Sequence, residues 1–101
     1  MDLASLKTIN NPEANRFELK GDDDLALIDY KVGKTGRWYL VHTEVPKHWE
    51  GNGAGHKIVR ESLNLLDQAG EKIIPTCPFV RAYIKRHFDD YSHLLADGVK
   101  L

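Results

Sequence analysis

His42 and Glu44 stand two positions apart in the segment Trp38 to Val45, which reads as a strand. Strand alternation puts Trp38, Leu40, His42 and Glu44 on one face, and Tyr39, Val41, Thr43 and Val45 on the other. An imidazole and a carboxylate sharing a face can serve as a general base, His42 directly and Glu44 through a water. The plain alternative is a hydrogen-bonded structural histidine beside a solvated glutamate. Cys77, the only cysteine of 101 residues, precedes Pro78 and the expected start of a helix. A helix N-terminus favours the thiolate, hence a nucleophile, whereas a lone cysteine is also a common small packing residue. Between these groups runs Glu50-Gly51-Asn52-Gly53-Ala54-Gly55, with glycines at alternate positions directly before an amphipathic helix pattern. A strand, a glycine turn and a helix N-terminus make a site for a phosphate-bearing ligand. Unpaired backbone N–H groups point outward there, the dipole is positive, and no Cβ blocks the anion. A cofactor-using enzyme is the reading this arrangement supports.

The elements that position these groups follow from periodicity. Residues 3–9 are ambiguous between a short strand and a frayed turn, and Asn10-Asn11-Pro12 is a turn signal. Arg16 to Leu19 alternates as a strand, Gly21 to Asp24 is a tight connection, and Leu25 to Val32 is an apolar strand. Gly33 to Gly36 forms a hairpin loop before a strand over 37–45. Ile58, Val59, Ser62, Leu63, Leu65, Leu66 and Ala69 recur at helical spacing, which predicts a helix over 54–69 capped by Gly70. Residues 72–77 read as a strand parallel to 37–45, because a helix separates the two. A helix over 79–88 opens at Pro78, and Tyr91 to Leu95 forms one more turn. The fold class is α/β with a mixed sheet: an antiparallel N-terminal meander, then β-α-β-α.

The length fits one domain, 1–101, with a single core. A net charge of −1 gives no reason to expect nucleic acid or an anionic membrane. No apolar stretch reaches the roughly 20 residues that span a bilayer. The N-terminal residues lack a secretory pattern, and the lone cysteine fits a reducing, cytoplasmic setting. The histidines, His42, His48, His56, His87 and His93, have no paired metal-ligand spacing, so no metal site is expected. The glycine run lacks the spacing of a Walker loop, and its place after a mid-chain strand does not fit a Rossmann fingerprint.

The glycine run resembles the pyrophosphate loop of the GCN5-related N-acetyltransferases. That loop opens with Gln or Arg, where this sequence has Glu50. The resemblance is closest to the small, roughly 100-residue members of that superfamily. It rests on Leu27-Ile28-Asp29-Tyr30, His42-Thr43-Glu44-Val45-Pro46, the glycine loop, Pro75 to Val80, and Tyr83-Ile84-Lys85-Arg86-His87, in that order over about residues 15–95.

This resemblance implies an acetyl-coenzyme A site and acetyl transfer to a primary amine. The pyrophosphate would lie on Gly51, Asn52, Gly53, Ala54 and Gly55, and the pantetheine arm between the strand ending at Val45 and the strand 72–77. The superfamily's helices between the first two strands are missing, which leaves the acceptor side open to a small amine or a peptide end. His42 is the favoured base or an acceptor-site residue, with Glu44 beside it. Cys77 is an acyl carrier or a neighbour of the cofactor thiol, with direct attack by the amine as the competing route. Tyr83 and Tyr91 serve as proton donors or acyl-pocket walls, or else as core residues. Arg86, in the basic cluster Arg81, Lys85, Arg86 and His87, is a candidate for the 3′-phosphate, or part of a solvated face. Lys47, His48, Lys57 or Arg60 would offset Glu50. Two rival readings are a non-catalytic acyl-coenzyme A binding or sensing module and a protein-interaction domain that uses an exposed Trp49 and the basic helix. The oligomeric state is open.

Overall fold

The computed structural model describes residues 2–101. Five strands lie in the order β1 (Thr8–Asn11), β2 (Arg16–Lys20), β3 (Leu25–Val32), β4 (Trp38–Glu44) and β5 (Ile73–Pro75). The first four are antiparallel neighbours, and β5 runs parallel to β4. Helix α1 (Ala54–Gln68) joins β4 to β5, and α2 (Pro78–Arg86) and the short α3 (Phe88–Tyr91) follow β5. This is the mixed sheet with β-α-β-α that the periodicity predicts.

The ambiguous N-terminal stretch resolves into a single 3-10 turn, Leu3–Ser5, and then β1. Asn10 and Asn11 belong to that strand, so the turn begins only at Pro12. It closes on Asn15, held at φ 54°, a left-handed conformation that asparagine tolerates. α1 ends at a left-handed Gly70, whose N–H bonds the Asp67 carbonyl while that of Glu71 reaches Leu66. Those two bonds are a Schellman cap, and they satisfy carbonyls a helix end would otherwise leave bare.

α1 lays Ile58, Val59, Leu63 and Leu66, all buried, on the sheet face formed by Phe17, Leu19, Ala26 and Ile28. Each such side chain contributes roughly 1.5–3 kcal/mol by leaving water. α2 adds Val80, Tyr83 and Ile84 to the same cluster, beside Leu40 and Ile73. Both helices therefore cover one side of the sheet. The opposite side, with Arg16, Asp29, Tyr39, His42 and Glu44, has no helix upon it among the described residues.

β4 does not alternate along its whole length. Asp29 pairs with His42 while Tyr30 pairs with Leu40, so Val41 is an extra residue, a β-bulge. The bulge reverses the faces beyond it. Trp38 and Leu40 face the helices, whereas His42 and Glu44 stand on the open side, opposite Asp29 and Leu27. The expected grouping of all four on one face is thus corrected: His42 and Glu44 share a face with each other but not with Trp38 and Leu40. Thr43, opposite the buried Ile28, turns to the helix side.

Candidate functional site

The pairing of β4 with β5 covers Trp38 with Ile73, Tyr39 with Ile74 and Leu40 with Pro75, and stops there. The Leu40 carbonyl closes the ladder by accepting from the N–H groups of Thr76 and Cys77, at 3.0 and 2.9 Å, and from the Thr76 hydroxyl. Past that point β4 continues along β3 without a second neighbour, and the chain of β5 turns into α2 at Pro78. The result is a wedge between the end of β4 and the start of α2. The strand is thus shorter than the expected 72–77, and α2 begins at Pro78 itself, whose ring suits a first helical position.

A cleft of about 540 Å³ opens at this wedge. Its walls are Thr43 of β4, Val45 just past its end, the glycine turn with Glu50, the first turn of α1 and Phe79 of α2. α1 receives its first backbone bond from Lys57 to Gly53, at 3.0 Å. The N–H groups of Gly51, Gly53, Ala54, Gly55 and His56 have no protein acceptor among the described residues. Gly51 and Gly53 sit at φ 84° and 82°, where an L side chain is strained. A Cβ on either would meet nothing within 4 Å, so conformation and not crowding selects glycine there. Gly55 is different. A Cβ there would lie 2.8 Å from Phe79 Cζ and 3.5 Å from Val45 Cγ2, so this glycine lets α1 and α2 close on the cleft.

The turn is anchored from beneath by Trp49, which is fully buried. Its ring lies where a Cβ on Gly21 would go, 2.7 Å from Cζ2. Asn52 donates its N–H and its side-chain amide to the Trp49 carbonyl, at 3.3 and 3.2 Å. The expectation of an exposed Trp49 is corrected: the indole fills space under the connection between β2 and β3, and a contact surface built on it has no basis.

Cys77 stands at the N-cap position of α2 without a side-chain capping bond and is 4% exposed, with its Sγ 3.4 Å from the Thr43 hydroxyl. His42 Nε2 stands 3.7 Å from a Glu44 carboxylate oxygen on the open side, and both side chains are more than half exposed. Glu44 also borders a shallow depression of about 340 Å³ with Arg16, Asp24, Leu25 and Val45. The strand end thus presents Thr43 to the cleft and His42 and Glu44 to the other side.

Of the residues singled out from the sequence, Val45, Gly51, Gly53, Ala54 and Gly55 line the cleft. Asn52 turns back to Trp49 instead. Tyr83 is buried one layer away, in ring contact with His56, His87 and Tyr91. The Tyr91 phenol is raised above its ordinary range by burial and by Tyr83, and it donates to Asn64 at 3.2 Å. Arg86 is exposed eight residues beyond Pro78, about 12 Å along α2 at the usual helical rise, and does not line the cleft. Lys57 is spent on Glu61 at 3.0 Å, and His48 faces Asp23 at 3.4 Å. Periodicity gave no sign of Phe79 and His56 as cleft walls, because their meeting depends on how α1 and α2 pack. Among the described residues, no group of three His, Cys, Asp or Glu side chains is placed to hold a metal ion, and no helix is long and apolar enough to cross a membrane.

A splayed pair of parallel strands next to a glycine turn and a helix N-terminus is the geometry the sequence resemblance implies. Residues 16–94 match the family described as GCN5-related N-acetyl-transferase. The chain belongs to this family. The span that matches the N-acetyltransferase family runs from the start of β2 to the turn after α3, and so includes the whole cleft. β1 precedes the matched span and forms the edge of the sheet beside β2. A comparison with curated proteins finds no match.

Proposed function

We propose that the protein transfers an acetyl group from acetyl-coenzyme A to a primary amine. The observation that carries this reading is the set of backbone N–H groups of Gly51, Gly53, Ala54, Gly55 and His56, unpaired among the described residues, beside the gap between β4 and β5. Such groups, with the positive end of α1 behind them, suit a pyrophosphate. Gly51, Gly53, Ala54 and Gly55 would hold it, and Val45 and Phe79 would flank the pantetheine arm. Coenzyme A supplies the acetyl group as a reactive thioester. Asn52 acts by fixing the turn. Tyr83 and Arg86 would contribute only beyond the cleft, Tyr83 through its ring contact with His56.

His42 and Glu44 stand on the open side, where no helix hinders an incoming amine. His42 takes the proton that the amine nitrogen loses on acylation, with Glu44 beside it to steady the imidazolium. Cys77 is the acyl carrier. Its thiolate attacks the thioester carbonyl, an S–C bond forms, the C–S bond to coenzyme A breaks, and coenzyme A leaves as the thiol with the proton Cys77 gave up. The amine then attacks the Cys77 thioester, an N–C bond forms, the acyl C–S bond to Cys77 breaks, the nitrogen's proton passes to His42 and the sulfur leaves as the thiolate. The acceptor is a small-molecule or peptide amine, and the reaction fits a cytoplasmic enzyme.

Calorimetric titration with acetyl-coenzyme A and with coenzyme A tests the site. Micromolar binding by the parent protein, lost in Gly53→Val, is the expected result. No binding by the folded parent would refute the transferase reading.

A further inference from the structure

We infer that Thr43 is the positioning residue for the Cys77 sulfur, an inference that rests on the acyl-carrier reading above. On an unbroken strand Thr43 would share a face with Tyr39, on the open side of the sheet. The bulge at Val41 turns it to the helix side, opposite Ile28, and into the cleft wall. There its hydroxyl meets Cys77 Sγ at 3.4 Å. Both ends of this contact are held by the same strand. The Cys77 N–H is tied to the Leu40 carbonyl at 2.9 Å, three residues before Thr43. The sulfur therefore has a fixed place relative to β4, and the hydroxyl arrives from beyond the bulge.

The chemistry follows from the single proton of the hydroxyl. Beside a thiol, Thr43 can donate or accept. Beside a thiolate it can only donate, since the sulfur then has no proton. A hydrogen bond to the charged form favours that form. It also aims the remaining sulfur lone pairs away from β4. Thr43 transfers no proton in the reaction, and its hydroxyl remains intact throughout. The bulge thereby divides the strand end by task, with Thr43 serving the sulfur and His42 the amine.

Cys77 is the only cysteine, so its reactivity can be read without interference. The experiment follows alkylation of the unliganded protein by a small neutral haloacetamide at one pH, for the parent, Thr43→Val, Thr43→Ala and Thr43→Ser. Thermal unfolding confirms that each variant is folded. Loss of a hydrogen bond to a charged group should slow alkylation about tenfold in the valine and alanine variants. Serine keeps the hydroxyl and should stay near the parent rate, which a purely space-filling role for Thr43 would not predict. Alkylation at the parent rate by folded Thr43→Val and Thr43→Ala would overturn the inference. A separate arm incubates parent and Cys77→Ala with acetyl-coenzyme A and weighs the intact proteins. An acetyl adduct that forms in the parent and is absent from Cys77→Ala supports the carrier. If no adduct forms while alkylation still depends on Thr43, the carrier reading falls and the coupling of Thr43 to the sulfur stands.

Discussion

Replacing Gly53 by alanine separates the conformational role of the glycine turn from crowding. Gly53 stands at φ 82° immediately before α1, and a Cβ there would meet nothing within 4 Å. The cost is therefore one of backbone conformation alone, about 1–2 kcal/mol for an L residue held left-handed. Alanine also stiffens the unfolded chain, which returns about 0.4–1 kcal/mol, so the net loss is about 1 kcal/mol. For a domain of this size that loss lowers Tm by about 4–8 °C if the turn keeps its shape. If instead the turn relaxes to negative φ, Tm recovers, but the N–H groups of Gly53 and Ala54 swing out of the cradle. Asparagine tolerates the left-handed region, and a β-branched valine tolerates it worst. Coenzyme A affinity should therefore fall in the order Gly53, Asn, Ala, Val, with each lost decade equal to about 1.4 kcal/mol. Calorimetry and thermal unfolding on the same four proteins read both quantities. Alanine and valine variants with the parent Tm and the parent affinity would refute the reasoning.

Gly55→Ala should act through the opposite cause, since its Cβ would press on Phe79 at 2.8 Å. Helix propensity gains about 1 kcal/mol, so Tm should hold or rise while coenzyme A affinity falls. Adding Phe79→Ala should relieve the clash, which a double-mutant cycle on Tm will reveal. Trp49→Ala removes the fully buried anchor of the turn, and urea unfolding should register a loss of about 3–5 kcal/mol. Glu61 is pushed up by burial, but bonds from Thr8 and Lys57 outweigh this and leave its carboxyl below the usual range. Its contribution is present above the unfolded value of about 4.3 and is lost as pH falls through the lower folded value. Glu61→Gln should thus cost about 1 kcal/mol at pH 7 and progressively less as pH falls below the unfolded value, as measured by urea unfolding over a pH series. His42→Ala should leave coenzyme A affinity unchanged and lower turnover about a hundredfold at neutral pH. An unchanged rate in an amine-acetylation assay would remove the base from His42.

Much of the fold was legible because its causes are local. The apolar spacing from Ile58 to Leu66 defines α1: Ile58, Val59, Ser62, Leu63 and Leu66 are buried and Leu65 is half-buried, whereas the expected Ala69 lies exposed at the C-cap, just past Gln68. Gly70 ends that helix through bonds to residues within five positions of itself. Gly51 and Gly53 announce the turn because left-handed backbone is a property of single residues. Each of these signals is carried by neighbours along the chain, and so by the sequence itself.

The faces of the site were not legible in that way. Val41 is an ordinary strand residue, and nothing in its type marks it as the extra one; the bulge exists because β3 and β4 pair in two registers on either side of it. That pairing decides whether His42 or Thr43 meets Cys77. Trp49 reads as an exposed loop residue until Gly21, 28 positions earlier, leaves the space its ring fills. Gly55 differs from Gly51 and Gly53 in that Phe79 of α2 occupies the place of its missing Cβ, which its position in the glycine run does not reveal. Composition and spacing determined α1, the strands from Arg16 onward and the glycine turn before α1. Which side chains share the site was decided by strand register and helix packing, because those are settled by contacts between residues far apart in the chain.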